Sequence, residues 1–424
     1  MSANQRPIHW QKNTISVSGQ ISPADLRYFA RALNVVIEKQ GYQDIYLDFT
    51  SCSATFESFM LPVVALCVGC QSKGIDIELV LPSDPFLASL FHNTNWAYYI
   101  DPRRYQESNY EGAHHVPAIR YTNPTEQHRA VDRVVDAVLS SISGIDRSGL
   151  KALEWSLNEI TDNVLNHAQT EHGGFVQAST YSESKQVEFV VADAGIGIPR
   201  SLGINSHRRA LEEAIKEGVT RDSSTNAGNG LYGSYSVATI SGGRFQIHSG
   251  YASLIANAGE NLRILTNRPL LYPGTVVVAR IDCGKESLLE QALRFGDVPH
   301  DPPFDYIERK FEKETVGEMT FLLREDIVSV GSREAGRVAK KKITNLLSMN
   351  PGARLQIDFS GIPIISSSFA DEVFGRLFIE LGPIGFAKLI DFKNVDRTVQ
   401  SLIDRAIKQR MQSDEGRQST TEKQ

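Results

Sequence analysis

A short pattern occurs twice in this chain of 424 residues, once towards each end. An Asp-Phe pair, a later Ser-Phe pair and a further apolar run recur at a constant offset of 310 residues. Agreement across a strand, a loop, a helix start and the next strand indicates two copies of one fold. The matching positions are Asp48 and Asp358, Ser58 and Ser368, and the apolar runs 79–81 and 389–391.

The apolar pattern divides the chain into three mixed α/β blocks. In the first block β-like runs alternate with helical patterns, which is typical of an α/β unit. The segment 101–123, rich in Pro, Tyr and His, is predicted to be a connection, and three prolines within 297–305 mark a second boundary. We predict α/β domains at 1–112, 124–285 and 315–408, and a disordered polar tail at 409–424.

Composition excludes several classes of protein. Hydrophobic residues make up 41% of the chain and charged residues 22%, which excludes disorder over most of its length. The formal charge of −6 offers no basic surface to nucleic acid or to an anionic membrane. No signal-like segment is recognised at the N-terminus, and no apolar run approaches the roughly 20 residues that span a bilayer. Only four cysteines are present, and the pair Cys67 and Cys70 is interpreted as core, so we expect a cytoplasmic protein.

Each copy of the repeat places serine just before an apolar helix. The first interpretation is a helix cap, in which the serine hydroxyl oxygen accepts a hydrogen bond from a free backbone N–H of the first turn. The second is a phosphoacceptor, because a helix N-terminus tolerates added negative charge. The candidate phosphoacceptors are Ser58 in the first copy and Ser367 and Ser368 in the second.

The helical pattern around 150–168 carries two different faces. Leucine, isoleucine and valine residues form a core stripe, whereas Glu159, Asn163 and Asn166 recur at helical spacing on another face, with His167 beside them. A carboxylate and a carboxamide one turn apart can hold a hydrated magnesium ion and deprotonate an attacking group. A solvated polar face is the alternative interpretation.

A buried strand then ends in Asp193, followed by Gly195, Gly197 and Ile198. The glycines allow the backbone to approach a flat ligand, and an ionised Asp, which only accepts hydrogen bonds, suits an exocyclic amino group such as that of adenine. A tight turn with a capping Asp would produce the same residues.

A glycine-rich run precedes the next apolar helix. Backbone amides exposed by such a run suit phosphate oxygens, although a flexible loop remains the simpler alternative. The Lys-Ser/Thr pair of a P-loop is absent from this run. Its residues are Gly228, Asn229, Gly230, Leu231 and Gly233.

In this order, and with Gly274-Thr275 opening a last strand, the motifs resemble the GHKL ATPase superfamily over about 125–285. That superfamily includes gyrase, heat-shock chaperone ATPases, histidine kinases, mismatch-repair ATPases and anti-sigma-factor serine kinases. The run from Ile357 to Leu377 resembles STAS-like domains related to anti-sigma-factor antagonists, and the N-terminal copy resembles them more weakly. The expected fold class is therefore α/β: a central GHKL (Bergerat) α/β sandwich between two STAS-like α/β domains.

The resemblance implies ATP and Mg²⁺ as cofactors and assigns roles at the site. Asn163 would contact magnesium, Glu159 would be the general base or position water, and Asp193 would bind the adenine amino group with support from Thr275. Segment 200–227 would be the lid. The remaining nucleotide-site positions are Asn166, His167, Gly195, Gly197, Ile198, Gly228, Asn229, Gly230, Leu231 and Gly233.

Three functions fit this organisation. A kinase of the partner-switching type would phosphorylate serines of STAS-like domains, an ATPase switch would hydrolyse ATP to move its neighbours, and a nucleotide-sensing scaffold would control a partner without phosphorylating it. In each case we expect a protein partner to bind through the STAS-like domains, and a homodimer is compatible with all three.

Overall fold

The computed structural model describes residues 6–421 apart from 111, 113, 219–228, 267–270, 296–297, 303–304 and 314–316, with side chains described up to 413. The chain forms two compact units. One unit contains 1–137 and 148–301, and the other contains 138–147 and 302–424. Helices and sheets are mixed throughout, which confirms the expected α/β class.

The N-terminal part of the first unit, which we call the N-terminal domain, contains a small sheet with its own helices. Its sheet has the order β1-β2-β4-β6, in which β1 pairs antiparallel with β2, and β2, β4 and β6 run parallel. The elements are β1 (Ile8–Gln11), β2 (Thr14–Val17), β3 (Gly19–Gln20), a 3₁₀ turn (Pro23–Asp25), α1 (Leu26–Asn34), a π-helical turn (Val35–Lys39), β4 (Asp44–Asp48), β5 (Cys52–Ala54), α2 (Glu57–Gln71), β6 (Asp76–Val80), α3 (Pro85–Asn93) and α4 (Trp96–Ile100).

The rest of the first unit is built on a seven-stranded sheet of order β12-β11-β10-β13-β9-β8-β7, antiparallel throughout. Its elements are β7 (His115–Tyr121), α5 (Pro124–Ser141), α6 (Arg147–His167), β8 (Gly174–Tyr181), β9 (Gln186–Ala192), α7 (Gly197–Ser201), α8 (His207–Ala214), α9 (Gly230–Ile240), β10 (Arg244–Gly250), β11 (Ala252–Asn257), β12 (Arg263–Thr266), β13 (Tyr272–Asp282), α10 (Leu288–Ala292), β14 (Arg294–Phe295) and β15 (Val298–Pro299).

Strand β7 corrects one expectation, because it lies inside the segment 101–123 that the sequence assigns to a connection. It pairs with β8 as the edge strand of the large sheet, and its ladder is interrupted between Val116 and Ile119. Pro117 stands at that irregularity. A proline in an edge strand lacks one ladder donor and resembles loop sequence, which accounts for the difference.

The two faces of the large sheet have different neighbours. Val190 and Ala192 of β9 belong to the same buried cluster as the core of the N-terminal domain. Val191, between them, lines a cavity on the opposite face. Helix α2 packs against β8, β9 and β13, and Trp96 Nε1 donates to Gln177 Oε1 at 2.8 Å across the same contact. The N-terminal domain therefore covers the face of the sheet that lies opposite the cavity.

Helix α2 is suited to that position by its composition. Every residue from 58 to 69 is buried, so the helix has no solvated stripe. A helix that is apolar all round needs cover on all sides. Its own domain supplies part of the cover, and the large sheet supplies the rest.

The second unit contains a three-stranded parallel sheet of order β16-β17-β18. Its strands and helices alternate in the same order as β2, β4 and β6 with theirs, which supports two copies of one fold. The elements are α11 (Tyr306–Lys310), β16 (Glu318–Leu322), α12 (Leu323–Asp326), α13 (Arg333–Met349), β17 (Arg354–Asp358), α14 (Ser367–Ala370), a π-helical turn (Asp371–Gly375), α15 (Arg376–Leu389), β18 (Ile390–Lys393) and α16 (Arg397–Thr421).

The pairing of strands corrects one part of the repeat. Asp48 pairs with Val80 in the first copy, whereas Asp358 pairs with Lys393 in the second. The last strands are therefore offset by 313 residues, not 310, and the runs 79–81 and 389–391 are not equivalent. The helical segment before β18 is longer than α2 and bends at Gly382, where φ is +69°.

Helix α16 continues to Thr421, beyond the point at which the sequence predicts a disordered tail. Arg410 donates from Nε and Nη2 to the two carboxylate oxygens of Asp371, at 2.6 and 2.7 Å. This bidentate ion pair anchors the helix against the π-helical turn, an interaction between distant residues that the polar local sequence does not reveal.

None of the described helices is both long and apolar enough to cross a bilayer. All four cysteines are free thiols, and Cys67 is completely buried, as expected for a core residue.

Candidate functional site

A cavity lies between α6 and the face of the large sheet that α2 does not cover. Side chains from α6, the end of β9, α7, the start of α9 and β13 surround it. Most of the positions singled out in the sequence line this one cavity: Glu159, Asn163, Asn166, His167, Asp193, Gly197, Ile198, Asn229, Gly230, Leu231 and Thr275.

Asp193 stands at one end of the cavity, where β9 ends. Its Oδ1 accepts from the Gly195 N–H at 2.7 Å, and its Oδ2 accepts from the Thr275 N–H at 3.2 Å. The residue is only 2% exposed. Burial raises the pKa of the carboxyl to about 7, although both backbone hydrogen bonds favour the ionised form. Each oxygen keeps an unused lone pair, so the group can accept a further hydrogen bond from a ligand.

The two glycines after Asp193 have different roles. Gly195 does not line the cavity; a Cβ there would overlap the carbonyl oxygen of Ala168 at the end of α6. The next residue, Ile196, donates its N–H to that same oxygen at 2.9 Å. Gly197 lines the cavity and has a φ of +75°, which side chains rarely adopt. Gly195 thus allows the loop to pack on α6, and Gly197 shapes the cavity itself.

The polar face of α6 points into the cavity as its spacing predicts. Asn163 and His167 are half-buried and Asn166 is exposed. In the part of the chain that the structure describes, the amides of Asn163 and Asn166 have no hydrogen-bond partner, so their oxygens are available to a ligand. Burial raises the pKa of Glu159 to about 7, and the nearby charge of Asp162 adds to the shift.

The glycine-rich run leads into the N-terminus of α9. Gly228 lies outside the described residues, so the expectation for it stays a prediction. Asn229 accepts from the Gly218 N–H at 2.9 Å, and a Cβ on Gly230 would overlap Glu159 Oε2. Gly233 packs against Trp155 and does not line the cavity. The start of α9 therefore lies directly against the carboxylate of α6.

Several lining residues have no motif to mark them. We name Trp155, Phe295 and His300 the aromatic wall. The ring centroid of Trp155 lies 6.3 Å from that of Phe295 and 6.0 Å from that of His300. The centroids of Phe295 and His300 are 5.4 Å apart. Asp162, Ser201 and Leu202 also line the cavity. Position 162 is one residue away from a predicted one, whereas nothing in the local sequence connects Phe295 and His300 to this site.

The candidate phosphoacceptor Ser58 is not brought to the cavity. It is 8% exposed and lies in the first turn of α2, which covers the opposite face of the sheet. It is also not the cap of that helix, because Phe56 occupies the N-cap position. Sequence reasoning therefore misplaces the cap in the first copy.

In the second copy the cap is Ser366, whose Oγ accepts from the Phe369 N–H at 3.0 Å. Ser368 is half-buried, with its Oγ 3.0 Å from that of Ser366. Ser367 is exposed. Of the predicted phosphoacceptors, Ser367 is therefore the most exposed residue.

The cavity fits a nucleotide carrying a divalent cation. Asp193 offers a buried acceptor at one end, and the amide of Asn163, which has no hydrogen-bond partner within the described residues, lies one turn from Glu159 on α6. No group of three or more His, Cys, Asp or Glu within the described ranges could hold a metal by itself. Magnesium usually takes one or two protein ligands and completes its shell with water and substrate phosphates, so a lone Asn163 suits it. The expected lid is described only up to residue 218.

Two family models match the chain. One, described as a histidine kinase-like ATPase domain, matches residues 122–233. The other, described as a STAS-like domain of unknown function, matches residues 335–400. A search of curated proteins finds no match. The first match spans α6, Asp193 and the glycine-rich run, and the second spans most of α13 to the start of α16.

Proposed function

We propose that this chain, which carries a histidine kinase-like ATPase domain and a STAS-like domain, is an ATP-binding signalling regulator that requires Mg²⁺. Its reaction is the transfer of the γ-phosphoryl group of ATP to a serine of a STAS-like domain, as in partner-switching serine kinases. The ATPase domain supports nucleotide binding, and the STAS-like domain supports a protein partner.

One observation carries this proposal. Glu159 and Asn163 of one motif and Asp193 of another surround a single cavity together with Gly230 and Thr275. A nucleotide needs an acceptor for its base, donors for its phosphates and an oxygen ligand for its metal. This cavity offers all three, at the end of β9, the start of α9 and α6 respectively.

Each residue then has a specific task. Asp193 accepts a hydrogen bond from the adenine amino group, and Asn163 supplies one oxygen ligand to the metal. The backbone amides at the start of α9 donate hydrogen bonds to phosphate oxygens. Glu159 accepts the proton of the attacking hydroxyl, and a pKa of about 7 makes it an effective base near neutral pH. Bound Mg-ATP would supply the phosphoryl group, and the chain supplies position and charge.

The STAS-like serines differ in their suitability as acceptors. Ser367 is exposed at the start of α14, whereas Ser58 is buried behind the large sheet. We therefore propose Ser367 as the type of acceptor, with Ser368 second. The proposed acceptor belongs to this chain, either in the same molecule or in a second copy.

An ATP-hydrolysing conformational switch is the second candidate function. It is favoured by the position of Glu159, a partly buried base beside the aromatic wall, which can deprotonate water as readily as serine. A nucleotide-sensing scaffold that controls its partner without phosphorylating it needs binding alone. The switch and the scaffold use the same cavity as the kinase. The kinase transfers the γ-phosphate to serine, the switch releases it to water, and the scaffold leaves it on the nucleotide.

Incubation of the full chain with γ-labelled ATP and Mg²⁺ separates these functions. A kinase retains label that is lost in Ser367→Ala and kept in Ser348→Ala, a matched control at an exposed serine of α13. Free phosphate without retained label indicates the switch, and binding without either product indicates the scaffold. If wild type binds no nucleotide, the proposed function is wrong; if Asn163→Ala binds and turns over nucleotide as wild type does, the site assignment is wrong.

A further inference from the structure

We propose that Phe295 and His300, two members of the aromatic wall, sense the nucleotide in the cavity. Both lie outside the segment matched by the ATPase family model. They would transmit nucleotide binding to the chain that continues into the second unit. The inference rests on the proposed function, because it needs a nucleotide in the cavity. It adds a regulatory element that the motifs do not contain.

The aromatic wall lies at the end of the cavity remote from Asp193. Trp155 and His167 are twelve residues apart on α6, which corresponds to roughly 18 Å of helix. The loop after Asp193 packs on the end of α6 beyond His167. Trp155 lies one turn before Glu159 on the same helix, on the side of Glu159 away from His167 along the chain. A nucleotide with its base at Asp193 therefore has its terminal phosphate directed towards this wall.

The wall also contacts the helix that begins at the glycine-rich run. The ring of Tyr232, in the first turn of α9, lies 6.3 Å from that of Phe295. A Cβ on Gly233 would overlap the Trp155 ring and would approach Leu293 Cδ2 to 3.0 Å. A displacement of the start of α9 by a bound phosphate thus acts directly on Phe295.

The segment that carries these residues is the last part of the first unit. The His300 N–H donates to the Leu293 carbonyl at 2.9 Å, and Asp301 forms a 2.6 Å ion pair with Lys151 of α6. Pro302 is the first residue of the second unit on this side. A change in the position of the aromatic wall therefore alters the conformation of the chain just before Pro302, where the second unit begins.

The test measures backbone hydrogen exchange over 293–301 in the full chain, with and without a non-hydrolysable ATP analogue and Mg²⁺. Binding of the analogue is measured separately by equilibrium dialysis. In wild type we expect the analogue to slow exchange at His300. In Phe295→Ala we expect that protection to disappear and the dissociation constant to rise about two- to tenfold, the range for losing one aromatic contact.

Val298→Ala is the matched control, since Val298 lies in the same hairpin, is 67% exposed and does not line the cavity. It should behave as wild type. If Phe295→Ala does not fold, His300→Ala at an exposed position carries the same test. An analogue that binds wild type without changing exchange over 293–301 overturns the inference and leaves the proposed function intact. A wild-type protein that binds no nucleotide overturns both.

Discussion

The buried carboxyl of Asp193 makes a quantitative prediction about stability. Its pKa is about 7 in the folded chain, against an ordinary value of 3.8. The folded state therefore holds a proton that the unfolded chain releases between those pH values. Its contribution to stability is complete below pH 3.8, falls as pH rises, and is lost above pH 7. Replacement by asparagine should remove this dependence.

The size of the effect follows from proton linkage. Between pH 5.5 and pH 8.5 a group with these two pKa values lowers the free energy of unfolding by roughly 2 kcal/mol. Asp193→Asn also weakens a hydrogen bond to Gly195 or Thr275, because its NH₂ faces an N–H donor. That loss does not depend on pH, so it cancels when the two pH values are compared within each protein.

Urea unfolding of the nucleotide-free chain, followed by tryptophan fluorescence, measures this difference. The three tryptophans, at positions 10, 96 and 155, all lie in the unit that contains Asp193. The fall in stability between the two pH values should be about 2 kcal/mol smaller in Asp193→Asn than in wild type. Glu107→Gln, at an exposed carboxylate of the same unit, is the control. Equal pH dependence in wild type and Asp193→Asn would refute the reasoning.

Three further substitutions test the site and the packing. Glu159→Gln should lower turnover by about 10²–10⁴ with nucleotide affinity unchanged, as measured by phosphate release and equilibrium dialysis; a loss of affinity instead would assign Glu159 to binding. Gly230→Ala should slow turnover with little change in melting temperature, because its Cβ displaces the Glu159 carboxylate; normal turnover would contradict that contact. Trp96→Phe should lower the free energy of unfolding by about 1–3 kcal/mol, seen by circular dichroism, since it removes the bond to Gln177 Oε1 in a buried contact; a loss below about 0.5 kcal/mol would mean that water replaces the bond.

The sequence predicts the side of the cavity that local spacing determines. Glu159 and Asn163 share a face because a helix turns every 3.6 residues, and Asp193 follows a strand whose apolar run is unmistakable. Each of these two signals is contained within a few consecutive residues. The cavity residues that they identify are therefore found without the fold.

The rest depends on contacts between distant parts of the chain. An all-apolar α2 predicts burial, but no periodicity says that β8, β9 and β13 provide it. Phe295 reaches the cavity only through the path of the chain after β13. The offset of the repeat changes from 310 to 313 because of a longer helical segment with a bend at Gly382, which the matching dipeptides before it do not report. Such features arise from tertiary packing and cannot be derived from local pattern.

The contact between α2 and the large sheet has a consequence for synthesis on the ribosome. Helix α2 ends at Gln71, and β13, the last strand that it contacts, ends at Asp282, 211 residues later. At a translation rate of roughly 5–20 residues per second, part of the apolar surface of α2 stays exposed for about 10–40 s before β13 is complete. During that interval the nascent N-terminal domain exposes a surface on which chaperones act. Early termination of translation within this stretch would leave an aggregation-prone fragment.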